Sequence, residues 1–301
     1  MQTDPIEAIA GLQKQVLQLP SPWPLRLSCW TRAAGPGAPT LMLLHGTGSS
    51  HASFTQLCEA LPSDFGLLIP DLPGHGESTF EQVCSSPHGS TSSSPAGFGL
   101  REMSEWLETM LQQLQATPDL IVGHSAGAAV ALAMKINQPH RHILGLAPSL
   151  VPPPAIYSSL VGPWLGPMVR SGPSLALGHW LAGQASVIDR LLASTASPIS
   201  QEQKHRYRRL FESKAHLEGT LAFMAGTDLP GFLANPTLQS LGHIAILSAK
   251  DDPWIPARAL QHILETRLPK AKVKWLETGG HLFHETDSRP VVDFIAELTR
   301  P

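Results

Sequence analysis

Short apolar runs recur along this chain, separated by segments with the periodicity of amphipathic helices. Most of these runs are as long as one strand and contain almost no polar side chains, which is typical of strands buried on both faces of a sheet. They predict strands at residues 40–44, 66–70, 119–122, 142–147, 244–247 and 273–276. Residues 25–32 alternate between apolar and polar side chains and predict a half-buried strand.

The order of strands and helices predicts the fold class. Residues 100–117 carry apolar side chains on one helix face, and such helices alternate with the strands over most of the chain. This order predicts an α/β fold with a mostly parallel central sheet flanked by helices. From residue 151 the chain becomes rich in proline, glycine and tryptophan. We therefore predict an α/β core in two parts, residues 1–150 and 242–301, with a mainly helical cap inserted at residues 151–241.

The amino-acid composition argues against several classes of protein. The 301 residues are 42% hydrophobic and only 15% charged, and the formal net charge of −3 gives no electrostatic support for binding nucleic acid. The three cysteines, Cys29, Cys58 and Cys84, are too few and too widely spaced for a disulfide framework or a cysteine-based zinc site. Because no signal-peptide pattern and no apolar run near ~18 residues is found, we expect a cytoplasmic protein without a transmembrane helix.

The most informative motif is Gly-His-Ser-Ala-Gly at residues 123–127, which has the form Gly-x-Ser-x-Gly. A predicted strand precedes it, and the small and apolar residues 128–135 predict a helix after it. A serine at such a strand-to-helix turn, a nucleophile elbow, stands clear of the sheet beside a helix N-terminus, which favours developing negative charge. A glycine-rich turn that happens to contain serine is the alternative. The flanking strand and helix favour the elbow, with Ser125 as the nucleophile.

A nucleophilic serine needs a base that an acid orients, and in this type of fold the acid and then the histidine follow the serine along the chain. Asp252 lies just beyond the predicted strand at 244–247, with Asp251 as the alternative acid. His281 follows the last predicted strand and two glycines that let its loop fold back. An ordinary loop histidine is the alternative here. We predict Ser125, Asp252 and His281 as the catalytic residues.

Stabilising the negative charge on a reacting carbonyl oxygen requires backbone N–H donors, which form an oxyanion hole. Ala126 would supply one donor, as the residue after the nucleophile. Thr47 would supply the other, because its loop leaves the predicted strand at 40–44 at the same edge of the sheet. We therefore predict Thr47 and Ala126 as the two donors.

Two pairs of side chains have the composition of metal ligands, His281 with His284 and Asp251 with Asp252. No further ligands of a suitable type surround the histidines in the sequence, and adjacent carboxylates are common in loops. We therefore predict no metal and no cofactor. The remaining polar side chains of the motifs are predicted to brace the loops rather than to react: His45, Asp71, His75 and His124.

Together these motifs resemble those of the α/β-hydrolase superfamily. They are Leu-His-Gly-Thr-Gly at 44–48, Pro-Asp-Leu-Pro-Gly-His-Gly at 70–76, the elbow at 123–127, Asp-Pro-Trp-Ile-Pro at 252–256 and Gly-His at 280–281. The set spans most of the chain. Serine at position 125 distinguishes it from haloalkane dehalogenases and epoxide hydrolases, which carry aspartate there. The resemblance implies an α/β-hydrolase fold with a cap.

Within this superfamily, the chain looks most like the magnesium-chelatase accessory proteins of bacteriochlorophyll biosynthesis. The resembling segments are residues 45–54, 123–129, 207–221, 224–229 and 281–285. The resemblance implies a pathway, magnesium insertion into protoporphyrin or a step near it, and makes magnesium chelatase a candidate partner. It implies no reaction, because a serine triad has no evident mechanism for inserting a metal.

Three functions compete at this point. A serine hydrolase of the carboxylesterase type, acting on an apolar ester or related acyl substrate, uses the whole predicted set and is preferred. A non-catalytic protein that binds a tetrapyrrole or assists the chelatase is the alternative. A cofactor-free perhydrolase or C–C hydrolase would use the same residues as the esterase. The cap offers apolar side chains that suit a large flat ligand, although most of them are expected to pack the cap on the core: Trp164, Leu165, Met168, Leu175, Leu177, Trp180 and Leu181.

Overall fold

A computed structural model describes residue 6 and residues 9–81, 97–151 and 185–300 of the protein. The seven apolar cap side chains named above and Cys84 lie outside the described residues.

Within these ranges, nine strands form one sheet with the spatial order β1-β2-β4-β3-β6-β7-β8-β9, and β5 pairs with β2. The strands from β4 to β9 in this order run parallel, whereas β2 pairs antiparallel with β1, β4 and β5. The strands are β1 (Gln13–Leu19), β2 (Leu25–Arg32), β3 (Thr40–Leu44), β4 (Gly66–Pro70), β5 (Thr79–Phe80), β6 (Leu120–His124), β7 (His142–Leu146), β8 (Ile244–Ala249) and β9 (Lys272–Leu276).

Helices connect the parallel strands and cover the sheet. They are α1 (Thr55–Ala60), α2 (Leu100–Gln113), α3 (Ala126–Asn137), α4 (Ala185–Ala193), α5 (Gln201–Glu212), α6 (Lys214–Gly226), α7 (Leu229–Leu233), α8 (Ala257–Arg267), α9 (Phe283–Thr286) and α10 (Arg289–Leu298), with short 3₁₀ turns at His51–Phe54 and Pro236–Ser240. No helix in the described ranges combines the length and the hydropathy needed to cross a bilayer. Residues 185–241, here called the helical segment, lie between β7 and β8 in the chain.

The apolar strands bury side chains on both faces, as their sequences predict. Successive residues of β3 point to opposite sides of the sheet, so that Leu41 and Leu43 pack in one apolar cluster and Met42 and Leu44 in another. Helices α2 and α3 cover one face, while α1 and α10 cover the other. Because the strands from β4 to β9 run parallel, their carboxyl ends all lie along one edge of the sheet.

The helix predicted over residues 100–117 ends earlier, at Gln113. Gln115 takes a left-handed conformation with φ 50°, and the amide of Ala116 donates to the carbonyl of Leu111. This hydrogen-bonded ending usually has glycine at the left-handed position, so the sequence carries no signal for it.

Helix α6 of the helical segment packs so closely on the core that main-chain atoms of the two parts are in contact. A Cβ on Gly219, in α6, would lie 2.0 Å from the carbonyl oxygen of Gly74, and a Cβ on Gly226 would lie 2.3 Å from the amide nitrogen of Phe98. Real side-chain atoms do not approach this closely, so a larger residue at Gly219 would push α6 away from the loop after β4, and one at Gly226 would push it away from the segment before α2. These two contacts place α6 on the core beside the loops that leave the sheet.

Candidate active site

Ser125 lies between β6 and α3, in the sharp turn that the sequence predicts. Its φ of 52° and ψ of −117° are rare for a residue with a side chain. A Cβ on Gly123 would lie 2.4 Å from the carbonyl oxygen of Gly127, and a Cβ on Gly127 would lie 2.2 Å from the carbonyl oxygen of Leu44. The two glycines are therefore required by the close packing of the turn against itself and against β3.

The three predicted catalytic side chains form a continuous hydrogen-bonded chain. His281 Nε2 lies 3.1 Å from Ser125 Oγ, and His281 Nδ1 lies 2.8 Å from Asp252 Oδ2. The other carboxylate oxygen, Asp252 Oδ1, accepts hydrogen bonds from the amides of Trp254 at 2.8 Å and Ile255 at 3.0 Å. Asp252 and His281 are buried. Since a carboxylate only accepts, His281 donates from Nδ1 and presents a lone pair at Nε2 to the serine hydroxyl.

Asp251, the alternative acid, occupies a different place. It is exposed, and its carboxylate accepts hydrogen bonds from the amides of Gly280 at 2.9 Å and Gly279 at 3.2 Å. These glycines precede His281, with φ of 148° and 65°. The geometry thus pairs Asp252 with the histidine and uses Asp251 to hold the glycine turn in front of it.

The main chain of His281 is held on both sides. Its amide donates to the carbonyl of Thr195 at 2.8 Å, and its carbonyl accepts from His124 Nε2 at 2.9 Å. Burial lowers the pKa of His124 well below its usual value, as do the nearby His284 and His281, so its ring stays neutral. The indole of Trp254 stacks on the His281 ring with centroids 5.1 Å apart. These contacts fix the orientation of the imidazole.

His284 does not share a metal position with His281. Both ring nitrogens of His281 are engaged by Ser125 and Asp252, and the His284 ring packs 4.0 Å from that of His124 between centroids. Burial lowers the pKa of His284 to about 3. Among the described residues, His284 is therefore a neutral side chain that packs beside His124.

The loop with Thr47 lies directly beside the elbow, because a Cβ on Gly46 would be 3.1 Å from Ser125 Cβ. His45 Nε2 accepts from the amide of Leu72 at 2.9 Å, so the neutral ring carries its proton on Nδ1 and donates to the Gly46 carbonyl at 2.8 Å. The amide of Ser49 donates to the same carbonyl at 3.2 Å. Because C=O and N–H point in opposite directions in a trans peptide, these bonds aim the Thr47 N–H away from both donors.

Ala126, the other predicted donor, is the first residue of α3. The first amides of a helix have no partner within the helix and carry the positive end of its dipole. The structure therefore brings the Ala126 amide next to Ser125 at a helix N-terminus, and places the Thr47 loop against the same serine.

Asp71, predicted to brace the loops, binds the backbone and a neighbouring ring. It accepts from the amide and Nδ1 of His51 at 2.7 and 2.8 Å, and from the amide of Glu77 at 2.7 Å. Burial on its own would raise the pKa of Asp71, but His51 and the Glu77 amide lower it to about 2. His75 Nδ1 lies 3.0 Å from the carbonyl of Pro73 in the same loop. Asp71 therefore holds the loop after β4 against the chain that follows Thr47, while His75 binds within its own loop.

Several residues at the site are absent from the sequence prediction. Ser197, in the helical segment, accepts from the amide of Leu282 at 2.8 Å and donates to the carbonyl of Gly279 at 2.9 Å. Thr195 binds the His281 amide, as described above. Both residues lie just after α4, and Thr195 acts through its main-chain carbonyl. The sequence carries no local signal of these roles, because the contacts depend on how the helical segment docks.

Known proteins resemble this chain over most of its length. The family model described as "Alpha/beta hydrolase family" matches residues 41–297. A protein named magnesium-chelatase 30 kDa subunit, from Rhodobacter capsulatus, is 30% identical over 283 residues, which cover 89% of this chain and 93% of the relative. A proposed carbamate hydrolase, RutD of Stutzerimonas stutzeri (strain A1501), is 25% identical and covers 87% of this chain and 93% of its own length.

The fold recurs among solved structures. A thermophilic esterase from Thermogutta terrifontis superposes with a TM-score of 0.69 at 19% identity, covering 95% of this chain and 97% of the esterase. At this identity the likeness concerns the fold. The predicted α/β-hydrolase fold is confirmed, and so is the predicted resemblance to the magnesium-chelatase group, in which a relative of nearly the same length is found.

Proposed function

Since this chain belongs to the α/β-hydrolase family, we propose that it is a serine hydrolase of the carboxylesterase type, acting on an ester or related acyl substrate. Ser125 is the nucleophile, His281 the general base and acid, and Asp252 the group that orients His281. The amides of Thr47 and Ala126 bind the oxyanion. The observation that carries the proposal is the hydrogen-bonded chain from Asp252 through His281 to Ser125.

The first half of the reaction follows from this geometry. Ser125 Oγ attacks the acyl carbon while His281 Nε2 takes its proton, and the imidazolium that forms is stabilised by Asp252. The substrate carbonyl oxygen becomes an oxyanion, which the Thr47 and Ala126 amides stabilise. When the tetrahedral intermediate collapses, the bond to the leaving group breaks and His281 returns the proton to it. An acyl-enzyme on Ser125 remains.

In the second half, water replaces the serine as the nucleophile. His281 takes a proton from the water, which attacks the acyl carbon and generates a second oxyanion in the same place. Collapse breaks the bond to Ser125 Oγ, which regains its proton from His281, and the free acid leaves. The reaction needs no metal and no cofactor.

The domain division belongs to the same proposal. Residues 151–241 form a cap inserted into a core made of residues 1–150 and 242–301, and the cap covers the edge of the sheet at Ser125. Support comes from the helical segment, since Thr195 and Ser197 bind the loop that carries His281. We expect an apolar pocket at this junction, because ligand pockets favour such places, and it would suit an apolar acyl group.

A fluorophosphonate probe tests the nucleophile directly. An activated serine oxygen attacks the phosphorus atom of the probe and displaces fluoride. Because this requires a base beside the serine, we expect labelling at Ser125 alone. Peptide mapping by mass spectrometry measures the site. Ser240→Ala is the matched control, because the hydroxyl of this exposed serine donates to the carbonyl of Thr237 and has no base beside it among its described contacts. Labelling of another serine, with Ser125 unmodified, would contradict the proposal.

A second function is favoured by the name of one relative, the magnesium-chelatase 30 kDa subunit. In this alternative the protein binds a tetrapyrrole, or assists magnesium chelatase in the cytoplasm on the pathway to bacteriochlorophyll, without catalysing hydrolysis. The apolar cap would then hold the ligand, with Trp164 and Trp180 as candidate contacts.

Fluorescence titration separates the two functions. If the protein binds tetrapyrroles, protoporphyrin IX or its magnesium derivative should quench tryptophan emission saturably at micromolar concentration, and Trp164→Ala or Trp180→Ala should weaken the quenching. Trp254→Phe is the control variant, because Trp254 stacks on His281 and its emission comes from that side of the site rather than from residues 151–241. Absence of saturable quenching in a protein that hydrolyses short-chain esters would exclude the tetrapyrrole function and leave the hydrolase intact.

A further inference from the structure

Glu285 is a buried carboxylate in α9, four residues after His281. Its Oε2 accepts from Arg206 at 2.8 Å, and its Oε1 accepts from the Tyr207 hydroxyl at 2.5 Å. Its main-chain carbonyl accepts from Gln203 Nε2 at 2.7 Å. These three partners lie on one face of α5, in the helical segment, so that Glu285 joins this helix to the loop of the histidine.

The Tyr207 hydroxyl has a second partner, Ser49 Oγ, at 3.2 Å. Burial, and then the charge of Glu285, raise the pKa of Tyr207 well above its usual value, so the hydroxyl keeps its proton. That proton is directed to Glu285, and therefore Ser49 is the donor in the other bond. All three side chains are buried.

Ser49 continues the connection to the predicted oxyanion hole. Its amide donates to the carbonyl of Gly46, which is one end of the peptide bond whose other end is the Thr47 N–H. The Tyr207 hydroxyl thus stands between two loops, one that carries His281 and one that carries Thr47. The strands that these loops follow, β3 and β9, are separated by three strands in the sheet order. Both loops also contact the turn at Ser125, and Tyr207 adds a second connection between them from the side of the helical segment.

We propose that Tyr207 and Glu285 form a positioning pair, which holds the His281 loop and the Thr47 loop in the relative placement that the reaction requires. This inference rests on the proposed serine-hydrolase function and assigns the helical segment a part in the chemistry besides covering the site. Oxyanion donors and the base must be held to within about 0.5 Å to be effective. Neither side chain of the pair touches substrate.

Tyr207→Phe is the sharpest test, because it removes one oxygen and leaves the ring in place. With p-nitrophenyl butyrate as the substrate, we expect kcat to fall by ~10-fold, since a misplacement of about 1 Å can cost up to ~100-fold. KM should stay within about 2-fold of the parent value, because ground-state binding is unaffected. The affinity for phenylboronic acid, which forms a tetrahedral adduct with the serine, should fall in parallel with kcat/KM.

Ser49→Ala provides a second variant. It removes the hydrogen bond between Ser49 and Tyr207 and retains the one between Tyr207 and Glu285. We expect a smaller loss of kcat in the same direction. The matched control is Arg208→Ala on the same helix, whose guanidinium binds Asp189 within the helical segment and should change kcat by less than about 2-fold. Thermal unfolding is measured for every variant, and kinetics are compared well below each midpoint.

The outcomes are distinguishable. If folded Tyr207→Phe and Ser49→Ala keep the parent kcat and the parent affinity for phenylboronic acid while Tm falls, the pair is structural and the inference is overturned, although the hydrolase function stands. If the parent protein neither reacts with a fluorophosphonate at Ser125 nor turns over the ester, the proposed function fails and the positioning role fails with it. Parallel losses in kcat and boronate affinity, with KM retained, support the inference.

Discussion

Replacing Ser125 by alanine should lower the kcat for ester hydrolysis by ~10⁴–10⁶-fold, which corresponds to about 5–8 kcal/mol of transition-state stabilisation. The covalent route through the acyl-enzyme is lost, and only the oxyanion hole and substrate binding remain to accelerate attack by water. Steady-state kinetics with a p-nitrophenyl ester, over a range of enzyme concentrations, measure the effect.

The folded structure should survive this substitution. Serine and alanine both have a Cβ, so the turn at φ 52° is equally strained in the two proteins. The thermal midpoint should therefore change little, and a near-normal midpoint assigns the loss of rate to chemistry. Turnover that stays at the parent level in a protein shown by mass spectrometry to carry alanine would remove Ser125 from the mechanism.

The sequence predicts β3 and β4 well because both of their faces are buried, and it predicts β2 from the alternation of a half-buried strand. The predicted bounds of all three strands match the observed ones residue for residue. Strand β1 has no such signal, because most of the side chains of Gln13–Leu19 are exposed and the strand is held by main-chain pairing with β2. An edge strand of this kind is determined by its neighbour rather than by its own hydrophobic pattern.

The geometry of the site is predictable only where it follows from the sheet. Parallel strands place their carboxyl ends along one edge, so residues just beyond β3, β6, β8 and β9 must lie near one another, and the predicted Thr47, Ser125, Asp252 and His281 all do. The contacts from the helical segment depend on how α5 and α6 dock on the core. No periodicity in the sequence encodes that docking, so the contacts of Thr195 with His281 and of Tyr207 with Glu285 are seen only in the structure.

The two aspartates should differ sharply when each is changed to asparagine. Asp252→Asn is expected to lower kcat by ~10³–10⁴-fold. The amides of Trp254 and Ile255 donate to Oδ1, so the asparagine oxygen takes that position and its NH₂ faces His281 Nδ1. The imidazole must then accept at Nδ1 and carry its proton on Nε2, where it cannot take the proton of Ser125.

Asp251→Asn is the matched variant, one residue away with the same chemical change. Its carboxylate accepts from the amides of Gly279 and Gly280, and an asparagine oxygen retains one of these two bonds. We expect kcat to fall by less than ~10-fold, through a small displacement of the turn before His281. Parallel kcat measurements on the two variants, with KM and thermal midpoints as controls, decide the assignment. The opposite ranking of the two variants would transfer the orienting role to Asp251, against the 2.8 Å contact that joins Asp252 to His281.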